Sequence, residues 1–142
     1  MNANITFERI MIAPCGINCG TCIAFLRPKN KCYGCLPVSL NKPKTRYYCR
    51  IKNCEQLDRT SSGFCYECSD FPCQRIKHID KRYRTRYKTS LIQNLLAIKE
   101  IGITEYLAKE TIRWTCPNCG STISVHRDNC LTCNLDLNKN FI

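Results

Sequence analysis

The spacing of the cysteines constrains this chain more than any other feature. Fourteen of its 142 residues are cysteine, in short-range groups: Cys15, Cys19 and Cys22; Cys32 and Cys35; Cys49 and Cys54; Cys65, Cys68 and Cys73; Cys116 and Cys119; Cys130 and Cys133. Such density implies either a disulfide framework or metal ligation. The opening MNANITFERIMIAPCG lacks a basic start, and its apolar run Ile10 to Ala13 is too short for a signal core. No stretch has the length and apolarity of a membrane span. A cytoplasmic chain with reduced thiols is therefore expected, and reduced thiols in pairs point to metal.

The first group, PCGINCGTC, has the Cys-x3-Cys-x2-Cys spacing of a radical S-adenosylmethionine enzyme. That chemistry resembles a barrel of alternating strands and helices, which needs roughly 200 residues or more. The residues after the motif are mostly further cysteines, prolines and basic side chains, so the spacing is read as coincidence.

Residues 115–134 read TCPNCGSTISVHRDNCLTCN. Two Cys-x2-Cys pairs, Cys116/Cys119 and Cys130/Cys133, are separated by ten residues, a zinc ribbon pattern. Four thiolates close a tetrahedron and leave no position for water, which describes a structural site. Gly120 and Asn134 come directly after the two pairs. Both tolerate the positive φ that a knuckle needs there. Residues 122–127 alternate as a short strand with Ile123 and Val125 on one face. His126 could replace a thiolate, but with four cysteines present it is read as an exposed or hydrogen-bonded strand residue.

The ten N-terminal cysteines suffice for two more four-thiolate sites. Pairing neighbours gives Cys19, Cys22, Cys32 and Cys35 as one site and Cys49, Cys54, Cys65 and Cys68 as another. Cys15 and Cys73 are then extra or alternative ligands, and His78 could join a third set. About three zinc ions in all are expected. The alternative is an iron–sulfur centre in the N-terminal region, since thiolate-only sites suit both metals. No stretch matches the four-cysteine run of bacterial ferredoxins, and Pro72 precedes Cys73 instead of following it. A dithiol redox pair normally opens a helix after a strand; no pair here has that setting.

Composition divides the chain into a cysteine-rich metal-binding domain at 1–78, a helical segment at 79–113 and a zinc ribbon at 114–142. In the middle, Thr89 or Ser90 can cap a helix whose apolar face holds Leu91, Ile92, Leu95, Leu96 and Ile98. Gly102 stops it. Thr104 then caps a second helix, with Ile103, Leu107 and Trp114 buried and Ile103 stapled to Leu107. The expected fold class is a small metal-stabilised α+β protein: a cysteine-rich N-terminal zinc-binding domain, a two-helix segment and a C-terminal ribbon, with metal standing in for much of the missing core.

The formal charge is +11. A Zn(Cys)4 site carries about −2, so three such sites would lower this to about +5. The surplus concentrates at RIKHIDKRYRTRYK, where Arg75, Lys77, Lys81, Arg82, Arg84, Arg86 and Lys88 face one aspartate and are interleaved with Tyr83 and Tyr87. A second basic stretch holds Lys42, Lys44, Arg46, Arg50 and Lys52. Cations neutralise phosphates and tyrosines stack on bases, so nucleic acid or an acidic protein is the expected partner. An equally weighted reading is a solvated helix start that offsets anionic metal sites.

The motifs CGINCGTC, CYGC, CRIKNC and FCYECSDFPC together resemble a family of small cysteine-rich bacterial and archaeal proteins of unknown function. The segment IKEIGITEYL followed by RWTCPNCGSTISVHRDNC is similar to its longer members, which carry a terminal ribbon. The resemblance implies metal binding, zinc above all, and implies no reaction. No carboxylate pair, nucleophile–base set or phosphate-cradling glycine loop stands out, so a non-enzymatic role is expected. A thiol enzyme or metal-transfer protein using Cys15 or Cys73 is the remaining class.

Overall fold

The computed structural model describes residues 4–27, 51 and 54–137. Cys32, Cys35 and Cys49, and the cations Lys42, Lys44, Arg46, Arg50 and Lys52, lie outside the described residues.

The described part is small and mostly helical. A one-turn helix α1 spans Ile23–Leu26, and three longer helices come after it: α2 at Gln74–Arg86, α3 at Leu91–Ile101 and α4 at Ile103–Arg113. Short 3-10 turns occupy Arg9–Met11, Cys19–Thr21, Glu55–Arg59 and Cys65–Glu67. The β content of the described residues is three isolated bridges: Ile12 with Asn18, Thr115 with Thr122 and Asn129 with Asp136. The strand expected at 122–127 is therefore not formed. Thr122, Ile123, Ser124 and Val125 are all buried: Ile123 and Val125 pack on the core, Ser124 meets the Cys19–Thr21 turn and Thr122 meets Ile5. Alternation alone would leave one side to water.

The basic segment forms a helix of its own, so three helices, not two, cross the middle of the chain. Along α2, Ile76, Asp80 and Tyr83 are buried at helical spacing, with Ile79 and Tyr87 half-buried beside them. The helix ends where Lys88 takes a left-handed φ of 56°. Asp80 then starts the next helix. Its Oδ1 accepts from Ser90 Oγ at 2.8 Å and from the Ile92 N–H at 3.0 Å, while its Oδ2 accepts from Arg84 Nε at 2.7 Å. A carboxylate at a helix N-terminus meets free N–H groups and the positive end of the dipole. Ser90 itself is the N-cap of α3 and accepts from Gln93 N at 3.2 Å.

On α3 the buried stripe is Leu91, Asn94, Leu95 and Ile98. Leu96 is 46% exposed, because it stands a further 100° round the helix from Leu95. Gly102 ends α3 and is also the N-cap of α4, with φ 83° and ψ 159°. That region is essentially open to glycine alone. Thr104 is thus an exposed residue inside α4 and not its cap, and Ile103 is the first helical residue. The buried line of α4 is Tyr106, Glu110 and Trp114, while Ile103 and Leu107 are half-buried.

α3 packs against both α2 and α4. One buried cluster runs from Phe7, Ile12 and Cys15 through Phe64, Cys65 and Ile76 to Leu91, Leu95, Trp114, Ile123 and Cys130. Gly16 lets the first cysteine loop close onto α3: at its φ of 94°, a Cβ there would stand 2.9 Å from Leu91 O and 3.0 Å from Leu95 Cγ. A buried polar network crosses the same core. Glu110 Oε1 accepts from Trp114 Nε1 at 3.1 Å and Asn18 Nδ2 at 3.5 Å, and Oε2 from Arg113 at 3.3 Å. Arg113 reaches on to Asn94 Oδ1 at 3.3 Å and Thr89 Oγ1 at 2.8 Å. No helix among the described residues is long and apolar enough to cross a membrane.

Candidate metal centre

Cys116, Cys119, Cys130 and Cys133 converge, with all four sulfurs within 4.8 Å of one another. Two turns of the same design produce this. Gly120 N donates to Cys116 O at 3.0 Å, and Asn134 N to Cys130 O at 2.9 Å. Cys116 N donates to Ser121 O at 2.8 Å, and Cys130 N to Leu135 O at 2.9 Å. Each turn closes through a residue of positive φ, 78° at Gly120 and 65° at Asn134, as the spacing of the pairs requires.

Across the two turns, Cys116 Sγ stands 3.7 Å from Cys133 Sγ, and Cys119 Sγ stands 3.6 Å from Cys130 Sγ. These separations are far beyond a disulfide bond of about 2.05 Å. They match the edge of about 3.8 Å of a tetrahedron whose metal–sulfur distance is about 2.3 Å. The set could therefore hold a metal ion. The surrounding polar groups already favour charge on two of the thiols. The Ser121 hydroxyl, helped by its N–H, brings Cys119 down to about 6. The Asn118 side chain and the Leu135 N–H lower Cys133. Burial pushes Cys130 up to about 11. A bound cation would favour the charged form of every ligand thiol and so displace the protons that burial retains.

His126 stands apart from this set. Its Nδ1 accepts the Ile23 N–H at 3.3 Å. In the neutral ring the proton is then on Nε2, which donates to the Tyr83 hydroxyl at 3.2 Å. Tyr83 and Tyr87 meet the imidazole edge-on, with ring centroids 5.8 and 4.7 Å away. The loop between the two cysteine pairs is joined to residues near the start of the chain as well. Ile5 N donates to Thr122 Oγ1 at 2.7 Å, and Asn4 Nδ2 to Gly120 O at 3.1 Å.

Of the N-terminal thiols, Cys19 and Cys22 share one turn, closed by Cys22 N to Cys19 O at 3.1 Å. The Asn18 side chain caps it by accepting from Gly20 N at 2.9 Å. Cys65 and Cys68 share a second, closed by Cys68 N to Cys65 O at 3.0 Å. Cys65 N also donates to Pro14 O at 3.0 Å, which ties the two turns together beside Cys15. The two four-cysteine sets expected from pairing neighbours each include residues outside the described part. Cys73 is the N-cap of α2.

Arg75, Lys77, Lys81, Arg82, Arg84, Arg86 and Lys88 are exposed on or just after α2. Tyr83 is 4% exposed and Tyr87 half-buried, both packed on His126. The sequence did carry this signal, since Ile76, Ile79, Tyr83 and Tyr87 recur at helical spacing. The two buried carboxylates, Asp80 and Glu110, carried no such signal. Each takes partners from another element, Asp80 from Ser90 and Ile92 and Glu110 from Asn18.

Residues 11–78 match the model of a family described as a protein of unknown function (DUF3795). The match spans all four N-terminal cysteine groups, from Cys15 through Cys73, and supports the resemblance to an uncharacterised cysteine-rich family over that stretch. No curated protein and no solved structure matches the chain.

Proposed function

We propose that this chain is a zinc-stabilised, non-enzymatic adaptor whose basic helix α2 docks on the phosphate backbone of nucleic acid. The observation that carries the metal reading is the convergence of Cys116, Cys119, Cys130 and Cys133 at tetrahedral spacing. Four thiolates fill the coordination shell of zinc, so the ion there is structural. It fixes the loop that packs under α1 and beside α2. The N-terminal thiols supply further ligands, for about three ions in all.

The basic surface supports the docking reading. Seven cations are exposed in and just after α2, while the one acid on that helix, Asp80, is buried and engaged by Arg84, Ser90 and Ile92. The helix therefore shows solvent a face of one sign. Recognition would be by backbone charge, without base stacking by Tyr83.

Fluorescence anisotropy with single-stranded RNA and DNA across a salt series tests the partner. Affinity should fall steeply with salt, with a log–log slope of about −3 for four phosphate contacts on a single strand. Absence of binding at low salt, or binding only to acidic protein, removes the nucleic-acid reading. Metal analysis of anaerobically purified protein tests the cofactor. Iron and acid-labile sulfide would move the N-terminal thiols to a cluster.

A further inference from the structure

The described thiols of residues 15–73 fall into two classes. Cys15, Cys19, Cys22 and Cys65 are buried, whereas Cys54, Cys68 and Cys73 are half-buried. Those three line one crevice of about 520 Å3, together with Glu55, Gln56, Asp70, Gln74 and Arg75. The same three also line a second, apolar cavity of about 30 Å3 with Cys65, Phe71 and Ile76. They stand where a wide crevice with charged residues in its lining meets a narrow apolar one.

Each of the three sits where the backbone turns. Cys54 precedes the turn Glu55–Arg59, Cys68 closes the turn Cys65–Glu67, and Cys73 is the N-cap of α2, where its side chain makes no capping hydrogen bond. The positive end of a 13-residue helix thus adjoins the crevice and favours negative charge there. Three soft donors round one mouth have a chemistry in common: they select a thiophilic cation over a hard one.

We propose that Cys54, Cys68 and Cys73 bind one thiophilic divalent ion, zinc in the reduced chain, with its fourth position open to the crevice. Three protein ligands and one exchangeable position are the arrangement of a reactive or ligand-accepting zinc, in contrast to the closed ribbon. The assignment departs from the neighbour-pairing expectation, which sets Cys54 and Cys68 with Cys49 and Cys65 and leaves Cys73 over. It rests on the proposed zinc reading only in taking the thiols as reduced. Among the described residues, only the ribbon thiols have all their ligand atoms within 4.8 Å of one another. The crevice thiols are set wider, so loading must draw them together. This site is therefore the weaker of the two and releases its ion first.

The test is metal release from the full-length chain into a colorimetric chelator, for the unaltered protein and for Cys54→Ser, Cys68→Ser and Cys73→Ser. Each variant should lose one fast-released equivalent and keep the slow one. Cys116→Ser/Cys119→Ser should lose the slow equivalent and keep the fast one. Failure of that double variant alone sinks the ribbon reading and leaves the crevice site standing. A second measurement needs no variant: in the cobalt-loaded chain, added imidazole should shift the thiolate–cobalt spectrum, because a closed four-thiolate site has no place for it. Metal loading should also protect Cys54, Cys68 and Cys73 from alkylation. A Cys73→Ser chain with unchanged metal content, a cobalt spectrum indifferent to imidazole, absent protection, or iron with sulfide at these thiols would each overturn the proposal.

Discussion

The backbone N–H of Val125 donates to the Thr21 carbonyl at 2.9 Å, and the Ser124 hydroxyl donates to the same oxygen at 2.9 Å. One carbonyl of the Cys19–Thr21 turn thus holds the loop between the two ribbon pairs. Ile23 and His126 add a third link a few residues on. The terminal thiol set and the first cysteine group are mechanically joined, although about a hundred residues of chain separate them.

That link makes metal loss at one end visible at the other. In Cys116→Ser/Cys119→Ser, the amides of Ile23 and Val125 should exchange at least about a hundredfold faster, since structural zinc contributes on the order of 10 kcal/mol to the fold around it. Hydrogen exchange by mass spectrometry reads this directly. Unchanged protection at Ile23 would show that the first group folds without the ribbon. Ser124→Ala, which keeps the Val125 bond but removes the hydroxyl that donates to Thr21 O and accepts from His126 N at 3.1 Å, should cost about 1–3 kcal/mol in a denaturant melt.

Asp80 should govern part of the acid sensitivity. Burial works to raise its pKa, but the hydrogen bonds from Ile92, Ser90 and Arg84 outweigh burial and hold the carboxyl below its ordinary value. A carboxylate with a depressed folded pKa contributes stability that is fully present above its unfolded value, about 4. That contribution is lost as pH falls through the lower, folded pKa. Asp80→Asn should therefore be less stable by about 1–2 kcal/mol at neutral pH. The gap to the unaltered protein should stay flat above about pH 5 and close below it. Metal loss in acid affects both chains and drops out of the difference. A gap independent of pH would remove Asp80 from this role.

Gly102 joins α3 to α4 at φ 83° and ψ 159°, with nothing within 4 Å of where a Cβ would be. The obstacle to a side chain there is the backbone alone. Gly102→Ala should cost about 1–3 kcal/mol, read as a lowered melting midpoint. A neutral result would mean that the two helices meet by some other path.

On α2, Lys81→Gln/Arg82→Gln/Arg86→Gln should weaken RNA binding at low salt and flatten the salt slope by about 2, as expected on losing three phosphate contacts. Tyr83→Phe should leave the slope alone, since that side chain is buried and meets His126 instead. An unchanged slope in the triple variant would remove this face from the interface.

The convergence of the four C-terminal cysteines was legible because its signal is local. Two Cys-x2-Cys pairs, each followed by a residue tolerant of positive φ, specify two turns without reference to the rest of the chain. The Ser90 cap and the Gly102 stop are local in the same way. What the sequence withheld depends on distant partners. Tyr83 falls on the apolar stripe of its helix with Ile76 and Ile79, but nothing local names His126 as the group that meets it. Asp80 reads as the lone acid of that run until Ser90 and Ile92 fold back onto it. Residues 122–125 alternate like a half-exposed strand, yet Ile5 and the Cys19–Thr21 turn meet Thr122 and Ser124 on the side that alternation leaves to water. Leu96 reads as part of the buried face by its side chain, whereas the 3.6-residue period puts it outside. The crevice brings Cys73, which pairing by sequence distance leaves over, beside Cys54 and Cys68.

The most direct measurement is the metal content of the full-length chain purified anaerobically without added metal, taken beside that of Cys116→Ser/Cys119→Ser. The unaltered chain should carry about three zinc ions and no colour, and the double variant one ion fewer with its α2–α4 core loosened. A chain that folds cooperatively with no metal, or a double variant that keeps every ion, would contradict the account.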